Sequence, residues 1–286
     1  MAAGQATAQS AAPAEPSPGF AAPHAMVPDF TVIDRIDGRS SVGFEASYLS
    51  VHLPDGFTGD KPTVLRFAAH FRYVDPASGV GGYARLPFVY AGASNGGDSI
   101  TDVGGLELGG IYVPKLALTG VAIILHAGLS LPTGEPRDEF LIGTAANAAA
   151  LPAFYGALPR ALTGTLGVSA VLRSDRFFMR LDLGVDDNFR NNADGEGDGN
   201  FSFPRAYHFN AGVGFDLGTA ALTFESENLA LGSQDNNDGA TLSDLAVGAR
   251  FAAGTASPYV ALVVPIEDTT SEIIDFAVTA GVDLAF

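Results

Sequence analysis

Counting back from the C-terminal Phe286, every second residue is apolar: Leu284, Val282, Ala280, Val278 and Phe276. The residues between them, Ala285, Asp283, Gly281, Thr279 and Ala277, are small or polar. Successive side chains of a β-strand point to opposite faces, so this period of two predicts a strand with one apolar and one polar face. A chain that ends on such a strand must give its apolar face a neighbour. A soluble sandwich supplies a second sheet, whereas a barrel in a bilayer turns the face to lipid.

The same alternation recurs from Ser40 onward, in segments that suit membrane strands of roughly ten residues. The expected spans are 40–53, 62–74, 82–93, 103–114, 119–131, 161–173, 176–187, 203–217, 219–230, 242–252, 256–266 and 274–286. The connections alternate in length. Residues 75–81, 115–118, 174–175, 218–219 and 254–256 are brief, while 54–61, 94–102, 132–160, 188–202, 231–241 and 267–273 are mostly longer and rich in Asp, Asn and Gly. A transmembrane barrel requires short turns on one side and long loops on the other. Parity then predicts the faces. Leu65, Phe67, Phe71, Tyr73, Leu86, Phe88, Tyr90, Leu125, Leu129, Leu181, Tyr207 and Phe215 point outward; Arg66, His70, Arg72, Arg85, His126, Ser130, Arg180, Asp182, Asp186, His208, Asn210 and Asp216 point inward.

Composition decides between sandwich and membrane barrel. The 286 residues carry a formal charge of −17 yet a mean hydropathy of +0.21, a pairing that suits an apolar wall with acidic loops better than a soluble acidic domain. Residues 140–172, the least charged stretch, hold Pro152, Pro159 and Arg160 among glycines and lack the sustained apolar run of a membrane helix. The absence of Cys excludes disulfide and thiol chemistry, and 15 Lys plus Arg against 32 Asp plus Glu argues against a nucleic-acid partner. Residues 1–18 have neither a basic start nor an apolar run, so the chain reads as a mature or trimmed form, the alternative being a cytosolic protein. Residues 1–30 are expected to be a flexible Ala/Pro-rich N-terminal segment, and residues 31–286 a single domain.

The terminal pattern Phe276, Val278, Val282, Leu284 and Phe286 resembles the targeting strand of bacterial outer-membrane β-barrels, and the resemblance implies an assembly signal. The expected fold is all-β: a transmembrane antiparallel up-and-down β-barrel of about twelve strands. The implied location is the bacterial outer membrane, with lipid, the barrel assembly machinery and other envelope proteins as partners. Three further stretches are similar to outer-membrane transporters of the MetA pathway of phenol degradation. They are Arg85-Leu86-Pro87-Phe88-Val89-Tyr90, Gly104-Gly105-Leu106-Glu107-Leu108-Gly109-Gly110-Ile111-Tyr112 and Ala127-Gly128-Leu129-Ser130-Leu131-Pro132-Thr133-Gly134-Glu135. The similarity spans mainly residues 82–190 and implies transport of small molecules, hydrophobic or aromatic ones included. This chain departs from the family pattern at Gly105-Leu106, where the family has an intervening Asp.

Catalytic parts are scarce. His126 and Ser130 share a face but lie four residues apart, about 13 Å along a strand, too far for a base and its nucleophile. His70, His126 and His208 read as polar lumen residues, and an enzyme is not expected. The inward charges are more informative. Strand direction puts Arg72, Arg85, Arg173, Arg176 and Arg250 near the periplasmic end, and Asp186, Glu225, Glu227 and Asp244 toward the outside. With Arg66, Arg180 and Asp182, the five arginines and Glu225 and Glu227 form the candidate lumen and selectivity set. A symmetric turn at 75–81 would set Arg72 opposite Arg85, with Glu45 or Asp283 to neutralise them. A salt-bridged lower lumen competes with a selective ring as the meaning of these charges.

No cofactor is expected, apart from a candidate Ca²⁺ site at Asp194, Glu196 and Asp198, where carboxylates alternate with glycines. The position that supplies the bidentate Glu of a calcium loop is Arg205, which excludes an EF-hand and leaves a looser site; Asp235-Asn236-Asn237-Asp238-Gly239 is a similar cluster. Solvated loop tips account equally for both. Residues 144–151 are Ala-rich enough for a short helix in a loop that plugs or caps the barrel. The functional expectation is a passive channel or transporter. The alternative is a non-conducting structural barrel serving as the platform of a secretion or motility machine.

Overall fold

The computed structural model describes residues 30–31, 38–51, 63–92, 99–133, 162–190, 205–232, 241–271 and 274–286. Its strands are β1 (Ser41–Val51), β2 (Thr63–Val74), β3 (Val80–Gly92), β4 (Ile100–Val103), β5 (Leu106–Tyr112), β6 (Val121–Leu131), β7 (Leu162–Ser174), β8 (Phe177–Arg190), β9 (Arg205–Asp216), β10 (Ala220–Leu231), β11 (Thr241–Phe251), β12 (Ala256–Pro265) and β13 (Ile274–Ala285). One helical turn, α1 (Asp268–Ser271), joins the last two. Each strand pairs antiparallel with its sequence neighbour, and the circle closes where β1 pairs with β13 from Ser41↔Ala285 to Val51↔Ile274. β4 and β5 lie end to end along β3, so the wall has twelve staves. Closure gives every described strand but the short β4 a partner on both sides, the condition for an extended sheet to sit in lipid.

The described strand ends match the sequence expectation within a few residues, with one difference of kind. The expected strand 103–114 is two pieces, because β3 pairs Phe88 with Val103 but Arg85 with Glu107. One extra residue is therefore accommodated at Gly104-Gly105 as a bulge. Thr133 secures it: its hydroxyl donates to the Gly104 carbonyl at 2.6 Å and accepts from the Leu106 N–H at 3.0 Å.

The turn after β2 corrects a second expectation. The ladder continues to Val74↔Gly81, and the Asp75 N–H donates to the Val80 carbonyl. The turn is thus shorter than 75–81 and off-centre, so Arg72 faces Tyr83 and Arg85 faces His70 instead of one another. The cause is local. The Asp75 carboxylate accepts from the Ser78 hydroxyl and from the Ala77 and Ser78 N–H groups, and Gly79 closes the turn at φ +75°, a backbone region suited to glycine. These bonds, that of the Ser78 hydroxyl foremost, hold the Asp75 carboxyl below its ordinary pKa.

Outward residues form an apolar belt in which Phe44, Phe71, Tyr73, Leu125, Leu181, Tyr207, Phe215, Leu222 and Leu245 are exposed. A continuous exposed belt around a closed sheet is a surface for lipid, and the fold belongs to the bacterial outer membrane. The tail residues Phe276, Val278, Val282 and Leu284 lie on this outer face. Phe286 ends the chain against it, its ring stacked on Phe71 at 5.9 Å and its N–H donating to the Ser40 carbonyl.

Deleting Phe286 is expected to lower the fraction of folded, heat-modifiable protein recovered from membranes; unboiled and boiled gel mobility measures it. Asp75→Ala should be less stable than wild type at neutral pH. Because the Asp75 pKa is depressed in the fold, its stabilisation is present above the ordinary carboxylate pKa and lost as pH falls through the folded value. The difference between the two proteins in heat-modification midpoint should shrink below about pH 4.

Candidate functional site: the barrel lumen

The lumen of so small a barrel is filled by the inward half of every strand, so each large inward side chain needs a place to lie. The inward glycines of neighbouring strands provide it. Tyr83 lies across Gly109 and Gly128, and a Cβ at either would overlap its ring or hydroxyl; His126 lies over Gly167, His208 over Gly184 and Tyr259 over Gly281. These rings therefore follow the wall instead of crossing the lumen. The inward positions expected from parity, Arg66, His70, Arg72, Arg85, His126, Ser130, Arg180, Asp182, Asp186, His208, Asn210 and Asp216, are all on the inner face.

Their charges organise around three acids. Asp283 receives Arg250 at 2.6 Å, His70 at 2.5 Å and Arg72 at 3.3 Å; Arg72 also donates to the Ser41 hydroxyl. Glu45 receives Arg66 at 2.6 Å, Arg85 at 3.6 Å and the Tyr259 hydroxyl at 2.9 Å, while the Arg250 guanidinium sits 4.3 Å above the Tyr259 ring. Asp182 is bonded to Ser169, lies 3.8 Å from Arg180 and 3.9 Å from His208, and accepts from Asn210. The structure thus brings Arg66, Arg72, Arg85 and Arg250 together across β1, β2, β3, β11 and β13. Arg180 and Asp182 form a separate group on β8. Arg173 lies at the rim, half-buried and paired with Asp216 at 2.5 Å.

Arg176 does not belong to the lumen. The tight connection is Asp175-Arg176 instead of Ser174-Asp175, with Asp175 at φ 41°, and Arg176 is exposed in it. The candidate cation-site residues Asp194, Glu196 and Asp198, the cluster at 235–239 and the stretch 144–151 lie outside the described residues.

Sequence reasoning missed the two residues that precede the barrel. Phe30 and Thr31 are buried inside it, at 0% and 4% exposure. The Phe30 ring meets Phe178 edge-on at 5.2 Å, and its carbonyl accepts from Arg250 at 3.1 Å. Thr31 donates its N–H at 2.8 Å and its hydroxyl at 2.6 Å to Glu225, which also accepts from Thr223. Gly248 leaves the room for this contact, since a Cβ there would overlap the Thr31 hydroxyl. Arg39 re-enters the same region beside Arg72, Arg250 and Asp283. Phe30, Thr31 and Arg39 therefore occupy the periplasmic half of the lumen. Glu225, the sixth of twelve residues in β10, sits mid-barrel instead of high in the wall. The available signal was Thr223, Glu225 and Gly248 themselves, polar or missing side chains where a lumen needs filling.

Toward the loop end the lining is aliphatic: Leu49, Val51, Val64, Val89, Ala91, Ala246, Ala261, Val263, Ile274 and Ala277 form one buried cluster. Glu227 and Asp244 stand beside it, cross-strand partners that are both 0% exposed. A groove of about 420 Å³ between Leu166, Val185, Phe189 and Tyr207, with the Arg205–Asp187 pair at its edge, lies on the outer face and faces lipid.

No family model and no curated protein matches the chain. Solved structures do. The COG4313 outer-membrane channel of Pseudomonas putida F1 superposes with a TM-score of 0.65 at 12% identity, covering 88% of this chain and 97% of that one. The NanC porin superposes with a TM-score of 0.53 at 10% identity, over 86% and 100%. At such identity the likeness is one of fold: this chain is an outer-membrane β-barrel, built like channel and porin barrels.

Asp283→Asn should remove the shared charge from the Arg72 and Arg250 guanidinium groups and the His70 imidazole in a buried site. Breaking a buried pair costs about 3–5 kcal/mol, so the heat-modification midpoint should fall well below that of wild type. The surface variant Asp187→Asn, which breaks an exposed pair, should shift it little.

Proposed function

We propose that the chain is a passive channel for small molecules, hydrophobic or aromatic ones included, whose periplasmic half is narrowed by its own Phe30–Thr31 segment. The observation that carries this reading is the way that segment is held. Thr31 bonds to the wall through the Glu225 carboxylate and the Thr223 hydroxyl, and Phe30 through an edge-on contact with Phe178 and the Arg250 guanidinium. These described partners are side chains of the wall, so the segment can leave without breaking the barrel's backbone ladder. The aliphatic lining above it favours solutes with apolar surface over ions, and the likeness of residues 82–190 to phenol-pathway transporters supports the same substrate class. No catalytic role is assigned to His126 or Ser130, which face the lumen on one strand without bonding to one another.

The structural-platform reading draws on the paired charges around Asp283 and Glu45, which could close the lower lumen for good. Conductance separates the two. A hydrogen bond to a charged group contributes about 1.5–3 kcal/mol, so Glu225→Gln should raise the released fraction of the segment roughly tenfold or more. The expected result is larger and more frequent openings in planar bilayers, and faster swelling of liposomes in small neutral solutes, for Glu225→Gln than for wild type. No current and no swelling from either protein would reject the channel and leave the platform.

A further inference from the structure

One carboxylate, Glu45, serves two guanidinium groups and satisfies neither in full. Its Oε1 accepts from Nη1 of Arg66 at 2.6 Å and lies 3.6 Å from Nη2 of Arg85, while its Oε2 accepts from the Tyr259 hydroxyl at 2.9 Å. Nε and Nη2 of Arg66 and Nη1 of Arg85 are buried, and they donate to no described residue. A guanidinium is all donor, so each of these atoms calls for an oxygen that the described wall does not provide. Unmet donors cost most when they belong to a buried charge. Both side chains qualify, at 1% and 10% exposure.

The neighbouring oxygens are engaged elsewhere. Glu107, in register with Arg85, attracts it but accepts from the Tyr83 hydroxyl at 2.8 Å. Asp283 is held by Arg72, Arg250 and His70. Ser47, in register with Arg66, shares its hydroxyl with Thr279 at 2.9 Å. The acids Asp244, Glu225 and Glu227 stand on β11 and β10, four and five strands round the wall from β2. Toward the loops the lining beside Arg66 turns to hydrocarbon. Arg66 is in register with Val89, and the next inward pair is Val64 with Ala91, beside Leu49 of β1; all four apolar side chains are buried. A carboxylate offers two acceptor oxygens in the plane that suits a guanidinium fork, and a hydrocarbon body attached to it would lie on these four residues.

We propose that Arg66 and Arg85 form a subsite for the carboxylate of a small organic acid, with its hydrocarbon body on the aliphatic wall of β1, β2 and β3. The subsite rests on the preceding reading in one respect, that small molecules reach the lumen, and it names one class of them.

The test is equilibrium binding, which does not depend on flux. Calorimetric titration of sodium benzoate into the detergent-purified full-length protein at pH 7 should give saturable binding. Benzyl alcohol, which keeps the ring and lacks the carboxylate, should bind at least tenfold more weakly. Arg85→Gln and Arg66→Lys should each weaken benzoate binding at least tenfold, while Asp187→Asn on the outer face should leave it unchanged. Gel mobility before boiling verifies that each variant is folded, and Arg66→Lys, which keeps a cation for Glu45, reads the same site if Arg85→Gln fails to assemble. Four results would overturn the proposal: no saturable binding to wild type, undiminished binding to the folded variants, benzyl alcohol binding as tightly as benzoate, or displacement of benzoate by an equal concentration of NaCl. Saturable binding of this pattern by a protein that conducts nothing would instead reject the channel and leave the subsite standing.

Discussion

Half of all residues in a membrane barrel must point inward, and in a twelve-stave barrel there is little room for them. Parity fixes which half. Arg66, Arg72, Arg85, Arg180 and Arg250 cannot be turned to lipid, where a midplane charge costs about 2–4 kcal/mol, so all five are carried into one narrow lumen. Two features of the chain follow from that crowding. Inward glycines such as Gly128 and Gly281 take the place of side chains so that Tyr83 and Tyr259 can lie along the wall. Acids from distant strands, Glu45 on β1 and Asp283 on β13, come within reach of several guanidinium groups at once.

Sharing of this kind has a mechanical meaning. A buried ion pair gains little net stability over a hydrophobic one, but removing one partner is costly, because the other stays buried without compensation. Asp283 ties β2, β11 and β13 together near the seam where the sheet closes, and Glu45 ties β1 to β2, β3 and β12. The seam is thereby held from inside the lumen as well as by its backbone ladder. Phe30 and Thr31 are held differently. They rest on Phe178, Arg250 and Glu225 without a strand ladder of their own. The seam cannot open without unpairing the sheet, whereas a segment held by side chains can be released with the wall intact.

The fold was legible because it rests on a pattern with period two. The alternation ending at Phe286, the sorting of short turns from long loops and the inward arginines each depend on residue order alone. Two kinds of information escaped. Register across a turn depends on side-chain capping, and the bonds of Asp75 to residues 77 and 78 shifted Arg72 away from Arg85. Long-range occupancy of the lumen was also hidden. Nothing local to Thr31 says that Glu225, 194 residues further on, is its partner. Arg176 illustrates a third limit, since a shift of one or two residues in a tight turn moved it from wall to exposed surface.

Glu225 and Asp244 invite comparison because they face the same lumen on adjacent strands and end so differently. Glu225 pairs in register with Ala246, and Asp244 lies one inward position further along β11. The first carboxylate accepts an N–H and two hydroxyls, two of those three donors coming from a segment that is not part of the wall. The chain itself thus supplies an example of what an inward carboxylate on β10 binds: a donor group carried on a strand of covalent structure that reaches it through the lumen. Asp244 has the same burial, the same facing and more hydrocarbon around it, yet no donor among the described residues.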